Sequence, residues 1–232
     1  MKKSSFPFRL LAVVLLTALL LSGCSAALGR QLREKAESYL SALTKAPGVS
    51  DRFTLGETPK LGPKSASADF SVSSETFGKT FTVRVSRDGS EISDDYYSLY
   101  LSDEAVRAVQ AVYGSAVGDT AFTPAVSFRK GMLSAALSRH AAGSLKELYA
   151  LSGNAMLLEI DINTAGKANL SEAQIDRLLL ALASEGLYCR LYPYISDAVW
   201  FEVSADGFWK NTQTGADGGA MLNRVSYTPA AP

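Results

Sequence analysis

Residues 171–195 read SEAQIDRLLLALASEGLYCRLYPYI, and this stretch decides the fold class. It opens with Ser171 and, three residues later, Gln174, the pair that closes a capping box at a helix N-terminus. Apolar residues at three- and four-residue steps follow, and Gly186 is suited to end the helix. From Tyr188 onward the side chains alternate between two faces, as in a strand. The stretch therefore predicts a helix that leads directly into a β-strand.

The segments around this stretch extend the predicted sheet. A strand is predicted before the helix at residues 155–162, and a hairpin after it at residues 188–195 and 199–204. A last strand is predicted at residues 220–227, beyond a polar, Gly-rich loop at residues 211–219. A strand–helix–strand order followed by a hairpin predicts one helix packed on a mixed sheet. A further helix is expected over about residues 130–151, with a break near Gly143.

The first half of the chain has a different pattern. Apolar residues recur at helical spacing over residues 28–46, which predicts a helix. Three alternating runs follow, and each predicts a strand of an antiparallel meander: residues 53–61, 66–77 and 79–87. A second helix is expected over about residues 103–113, with Ser102 as its N-cap. The fold class is thus predicted to be α+β.

These patterns also predict the domain organisation. The chain is divided into a leader, a helix-plus-antiparallel-sheet module, a linker and a second α+β module: residues 1–23, 24–113, 114–125 and 126–232. The linker is placed where the residues are small, include glycine and end in proline.

Two short motifs in the first module carry a resemblance. They are FTVRVSRDG at residues 81–89 and DDY at residues 94–96. In this setting of helix, meander and helix, the module resembles the PepSY- or cystatin-like modules of uncharacterised lipoproteins from Gram-positive bacteria. The resemblance covers about 80 residues and implies a fold but no particular chemistry.

The N-terminus has the pattern of a secretory leader. Three basic residues precede an apolar segment at residues 10–21, which has the length of a signal-peptide core and is short for a transmembrane span. The segment ends in LSGC at residues 21–24, which resembles the lipobox of bacterial lipoproteins. That resemblance implies cleavage before Cys24 and a diacylglyceryl thioether on its sulfur. Two acyl chains anchor a protein stably, so the chain is expected on the extracytoplasmic face of the cell membrane.

Charge and cysteine content limit the function classes. All 23 acidic residues follow Cys24 but only 20 of the 23 basic ones do, so the chain after the leader has a net charge of −3. Such a chain lacks the basic footprint of a nucleic-acid-binding protein. Cys189 has no second cysteine to pair with once Cys24 is lipidated, and is expected to be a small buried hydrophobe. No cofactor motif is found.

Residues 161–172, DINTAGKANLSE, partly match an EF-hand calcium loop. Asp161, Gly166 and Glu172 stand at the required positions, but Ala165 replaces an oxygen ligand and the preceding segment has strand character. We therefore expect a strand, a turn and a capped helix here, and no metal site.

Ser127 and Lys130 have the spacing of the serine–lysine pair in penicillin-binding proteins, in which the lysine activates the serine. The accompanying Lys-Thr-Gly motif is absent downstream, and the single histidine, His140, is too little for a two-histidine metal motif or a supported triad. The sequence therefore predicts no catalytic site.

Aromatic residues supply the candidate binding surface. Tyr192 and Tyr194 are expected on one face of the strand that begins near Tyr188, and Trp200 on the neighbouring strand is expected to extend that face. Pro193 cannot donate to a β-ladder, so it predicts either a sheet edge or a local break. This arrangement would suit strand addition by a peptide or stacking of a glycan.

The sequence thus predicts a lipid-anchored, non-enzymatic binding or scaffold module with an envelope protein or a glycan as partner. Two alternatives stay open. One is a serine hydrolase-like enzyme of the cell envelope, for which the Ser127/Lys130 pair is the only supporting feature. The other is a small solute-binding lipoprotein, which would need two lobes around a cleft.

Overall fold

The computed structural model describes residues 26–46, 48–62, 64–129, 133–134, 143–162, 170–194, 198–214 and 221–230. Over these residues the chain is α+β, with five helices and two sheets, which confirms the predicted fold class. Contacts along the chain define two units. The first comprises Met1–Asp94 with Ser134–Arg139, and the second comprises Asp95–Leu133 with His140–Pro232.

The first unit contains one helix, α1, and an antiparallel sheet. Its elements are α1 (residues 26–43), β1 (Phe53–Leu55), β2 (Ser67–Ser74), β3 (Lys79–Ser86) and β4 (Ile92–Asp94). The strands follow the chain order β1-β2-β3-β4, and a two-residue strand, β6 (Leu133–Ser134), comes next after β4. The predicted helix and meander are therefore present, with strands shorter than their alternating runs suggested.

Alternation along β2 and β3 explains the core of this unit. Phe70 lies opposite Val83, and Val72 lies opposite Phe81, so these side chains share one face of the sheet. All of them are at most 4 % exposed, and the residues between them point outward. α1 contributes its buried stripe: Leu32, Ala36, Tyr39, Leu40 and Leu43. The apolar faces of one helix and one sheet thus form a single hydrophobic core.

A buried polar pair fixes β4 to α1. Asp94, the last residue of β4, is 0 % exposed, and its carboxylate accepts a hydrogen bond from the hydroxyl of Tyr39 on α1. A buried carboxylate needs such donors, since an unpaired one would strongly favour the unfolded chain. The sequence analysis did not single out this contact.

Within the described residues, the second unit contains four helices and a six-stranded sheet. Its elements are α2 (Tyr97–Tyr100), α3 (Ser102–Val117), β5 (Ala125–Phe128), α4 (Leu145–Leu151), β7 (Leu158–Asp161), α5 (Glu172–Ser184), β8 (Cys189–Tyr192), β9 (Val199–Ser204), β10 (Gly207–Thr214) and β11 (Met221–Tyr227). The strand order is β11-β10-β9-β8-β7-β5. Only the β7–β8 pair is parallel, so the sheet is mixed, as the sequence predicts.

The helix α5 is placed by the signals that the sequence provides. Ser171 is its N-cap, and the reciprocal hydrogen bonds with Gln174 complete the capping box. The helix ends before Gly186, whose φ of 68° is in the left-handed region that favours glycine. Its buried stripe comprises Ile175, Leu178, Leu179 and Leu182. This element connects β7 to the parallel strand β8, as such a crossover requires.

Three boundaries differ from the predictions. Helix α3 begins at Ser102 itself, with Leu101 as its N-cap, and continues to Val117. The segment 114–125, predicted as a linker, lies within the second unit, where Phe122 packs on Tyr113 with ring centroids 5.3 Å apart. The added turn of α3 buries Ala116, so the packed face of the helix continues beyond its predicted end.

Within the range 130–151, which is predicted as a helix, residues 130–132 and 135–142 lie outside the described residues. Leu133–Ser134 is a short strand, and helix α4 covers only Leu145–Leu151. Ser144 explains the late start, because its backbone is extended and its hydroxyl accepts a hydrogen bond from Glu147 N at the first turn. Within the described residues, no helix has both the length and the hydrophobicity that crossing a bilayer requires.

Candidate functional site

The sheet of the second unit has two distinct faces. One, the helix face, carries Phe128, Leu158, Cys189, Phe201 and Tyr227. Two helices contact this face. The ring of Tyr97 on α2 packs on Phe128, and the hydroxyl of Tyr227 donates a 2.5 Å hydrogen bond to the carboxylate of Asp176 on α5. Residues next to these along each strand point to the opposite side. That side, the polar face, carries Ser127, Glu159, Asp161, Arg190, Tyr192, Trp200, Glu202, Trp209, Asn211, Arg224 and Ser226.

Charges alternate across the polar face from one strand to the next. Nε of Arg129, just after β5, lies 3.7 Å from Oε1 of Glu159 on β7. On β8, Nε of Arg190 lies 3.2 Å from Oε1 of Glu202, a β9 residue. The other oxygen of Glu202 lies 3.0 Å from Nε of Arg224 on β11. Glu202 is only 4 % exposed, so its two arginine partners offset the cost of burying its charge.

Aromatic rings flank the charged residues. Tyr192 and Trp200 stack, with ring centroids 6.1 Å apart and ring planes 28° apart. The guanidinium carbon of Arg224 lies 4.2 Å from the ring centroid of Trp209, a cation–π contact. Burial raises the pKa of Tyr192, and nearby Glu159 raises it further. These rings are half-buried and not part of the core.

We call the β8–β11 part of this face the aromatic patch. It comprises Arg190, Tyr192, Trp200, Glu202, Trp209, Asn211 and Arg224. Two donors within it lack partners among the described residues. They are Nε1 of Trp200 and Nδ2 of Asn211, two residues that lie directly opposite each other in the β9–β10 pair. Asn211 is 1 % exposed. An unpaired buried donor is costly, typically about 1–3 kcal/mol.

The structure brings together two of the three residues of the predicted binding patch. Tyr192 and Trp200 are in contact, but Tyr194 packs on Phe201 of the helix face at a centroid distance of 6.5 Å. The pKa of Tyr194 is raised by burial and by the carboxylates of Glu172 and Asp176, which places it beside α5. Strand β8 ends at Tyr192, so the two-residue alternation does not extend to Tyr194.

Pro193 marks the local break that was one of its two predicted roles. It directly follows the last residue of β8, and β8 lies between β7 and β9 in the interior of the sheet. The alternative role, at a sheet edge, is therefore wrong. Since both sides of β8 are paired, a partner peptide cannot add to this strand.

Half of the aromatic patch was missed in the sequence. Trp209 and Asn211 are on β10, and Asn211 was assigned to a polar, Gly-rich loop. Arg224 was within a predicted strand but was not connected to the patch. The signal that could have found β10 is Asp206-Gly207 directly after β9, since an Asp-Gly pair favours a tight hairpin turn.

The other predicted sites gain no support. Cys24, Lys130 and His140 lie outside the described residues. Ser127 is exposed on the edge strand β5, and not at the start of a helix as expected. Around the EF-hand-like segment, a strand ends at Asp161 and a capped helix begins at Glu172, while residues 163–169 lie outside the described residues. In the described part of the chain, no group of three or more metal-ligating side chains is found.

Cys189 is a buried thiol, as the sequence predicts. It is 0 % exposed on β8, and burial raises its pKa well above the ordinary range. Because a raised pKa lowers the thiolate fraction at pH 8, we expect iodoacetamide to leave Cys189 unmodified in the folded Cys24→Ala protein and to modify it in urea. Mass spectrometry checks the expectation, and rapid labelling of the folded protein would contradict it.

Comparisons with known proteins give no relative for this fold or this site. No protein-family model, curated protein or solved structure matches the chain. The functional argument therefore rests on the geometry of the aromatic patch.

Proposed function

We propose that this protein is a non-enzymatic binding module, lipid-anchored through Cys24 on the extracytoplasmic face of the cell membrane, and that the aromatic patch binds a component of the cell envelope. The anchor is supported by the LSGC motif directly after an apolar leader segment. The patch supplies the binding surface.

The observation that carries the proposal is the composition of the aromatic patch. A single large apolar side chain on a protein surface is ordinary, whereas a cluster of them is informative. Here Tyr192, Trp200 and Trp209 lie half-buried on neighbouring strands beside paired arginines. Tyrosine, tryptophan and arginine are the residues that dominate binding energy at interfaces. Among the described residues, the Tyr97–Phe128 and Tyr227–Asp176 contacts join helices to the other face of this sheet.

The test is binding to purified envelope fractions. We expect Trp200→Ala and Tyr192→Ala each to lower retention of the full-length protein on delipidated envelope material by about tenfold, because losing a ring at a binding hot spot typically costs at least about 1–2 kcal/mol. Sedimentation with the insoluble fraction measures the retention. Tyr194→Ala is the matched control, since this half-buried tyrosine is two residues from Tyr192 but on the helix face. If all three variants are retained like the wild type, the proposal is wrong.

A further inference from the structure

We infer that the ligand of the aromatic patch is an acidic glycan. Its sugar ring would stack on the Tyr192–Trp200 pair, and its carboxylate or phosphate group would bind the guanidiniums of Arg190 and Arg224. This inference rests on the proposed function and names the ligand class for the same site.

The first argument is the surplus of hydrogen-bond donors. Glu202 is the patch's one carboxylate, and its two oxygens face Arg190 and Arg224. Each guanidinium has five N–H groups, so pairing with a single carboxylate leaves most of them for a ligand. The neighbouring carboxylates of Glu159 and Asp161 are on β7, so Arg224 on β11 is the arginine of the patch farthest from them in the strand order. Arginine forks match the oxygens of carboxylate and phosphate groups. The complementary ligand is therefore an anion.

The second argument is the pair of unpartnered donors. Nε1 of Trp200 and Nδ2 of Asn211 are buried without an acceptor among the described residues, and Asn211 on β10 lies between Trp200 on β9 and Arg224 on β11. Ligand oxygens would relieve the cost of leaving these donors unpaired. Arg224 is opposite Asn211 in the β10–β11 pair, and its side chain is 46 % exposed.

The third argument is the combination of ring surface and polar groups. A sugar ring has an apolar C–H side that suits an aromatic face, and hydroxyl oxygens at its rim that accept hydrogen bonds. The patch offers aromatic faces and hydrogen-bonding groups on neighbouring strands of one sheet. Strand addition by a peptide would not engage the Tyr192–Trp200 pair, because β8 and β9 are interior strands paired on both sides and the edge strand β11 lies two strands from β9. The geometry therefore favours a glycan over a peptide.

The test uses the full-length protein purified in detergent and three soluble probes. They are a polyuronate, the same polymer with its carboxyl groups reduced to alcohols, and polyglutamate. We expect the polyuronate to bind at least about tenfold more tightly than the other two, since only it has both sugar rings and anionic groups, and one charge-assisted hydrogen bond is worth about a factor of ten. Isothermal titration calorimetry measures the affinities.

Two variants assign the binding to the patch. Arg224→Gln should weaken polyuronate binding about tenfold, whereas Arg84→Gln should leave it unchanged. Arg84 is the matched control because it is a sheet arginine of the first unit, paired with Asp69 and 47 % exposed. Asn211→Leu should weaken binding while leaving the melting temperature unchanged or raised, since it removes a donor that is unpaired in the free protein. Wild-type affinity in both Arg224→Gln and Asn211→Leu would overturn the inference.

The outcomes separate this inference from the proposed function. Equal binding of the reduced polymer would overturn the acidic part, and equal binding of polyglutamate would overturn the glycan part. If no probe binds but envelope retention still depends on Trp200, the inference fails and the proposed function stands.

A phosphate-substituted glycan is titrated alongside the polyuronate. Tighter binding of that polymer than of the polyuronate assigns the anionic group as phosphate, and the reverse order assigns it as carboxylate.

Discussion

Replacement of Cys24 by alanine is expected to abolish fatty-acid incorporation entirely and to leave the leader attached. If the chain is a lipoprotein as proposed, the sulfur of Cys24 would be the acceptor for the diacylglyceryl group in the LSGC motif, and cleavage before residue 24 would follow lipidation. Without the lipid, the remaining hold on the membrane is the uncleaved leader. Metabolic labelling with a fatty-acid analogue, followed by gel mobility and N-terminal mass analysis, measures both effects.

The matched control is Cys189→Ala, which removes the other cysteine of the chain. Since Cys189 is buried in the second unit, this variant should incorporate the label and lose the leader as the wild type does. Equal labelling of the wild type and Cys24→Ala would end the lipoprotein interpretation and, with it, the proposed location.

Replacement of Phe201 by alanine is expected to lower the free energy of unfolding by about 3–5 kcal/mol, whereas Trp200→Ala should lower it by only about 1 kcal/mol. The two residues are neighbours on β9 but point to opposite faces. Phe201 is 1 % exposed and packs on Tyr227 at 5.0 Å between ring centroids. Trp200 is half-buried and stacks on Tyr192 alone among the described rings.

Urea unfolding monitored by circular dichroism measures both changes. The comparison is informative because Trp200 has the larger ring of the two adjacent residues, yet its removal is expected to cost less. A loss of several kcal/mol in both variants would show that the aromatic patch is part of the core, and the binding proposal would lose its surface. A small loss in both would contradict the assignment of Phe201 to the helix face.

The parts of the fold that local signals encode could be predicted from the sequence. The capping box of Ser171 and the glycine at 186 define α5, and strict alternation defines β3 and β9. Strand β10 was difficult to predict because most of its residues are polar. Trp209 and Asn211 lie on one of its faces, and the strand has no uninterrupted apolar run. A strand whose two faces are both partly polar has a weak periodic signal.

The candidate site was only partly predictable for a related reason. Trp200 and Tyr192 share a face because β8 and β9 pair, which the hairpin signal predicts. The contribution of Arg224 depends on β11 pairing with β10, and no local pattern near residue 224 contains that information. Tyr194 was misplaced because an alternation argument assumes that the strand continues, and Pro193 ends it.

The outer position of β11 has a consequence for self-association. One side of this seven-residue strand pairs with β10, and the other is the end of the sheet, where backbone N–H and C=O groups can template pairing with a second chain. Exposed Asn223, Arg224 and Ser226 keep this border hydrophilic, and Pro229 limits its extension. Because a charged side chain on a border strand discourages aggregation, Arg224 also protects the protein at the high local concentration that attachment to a surface creates.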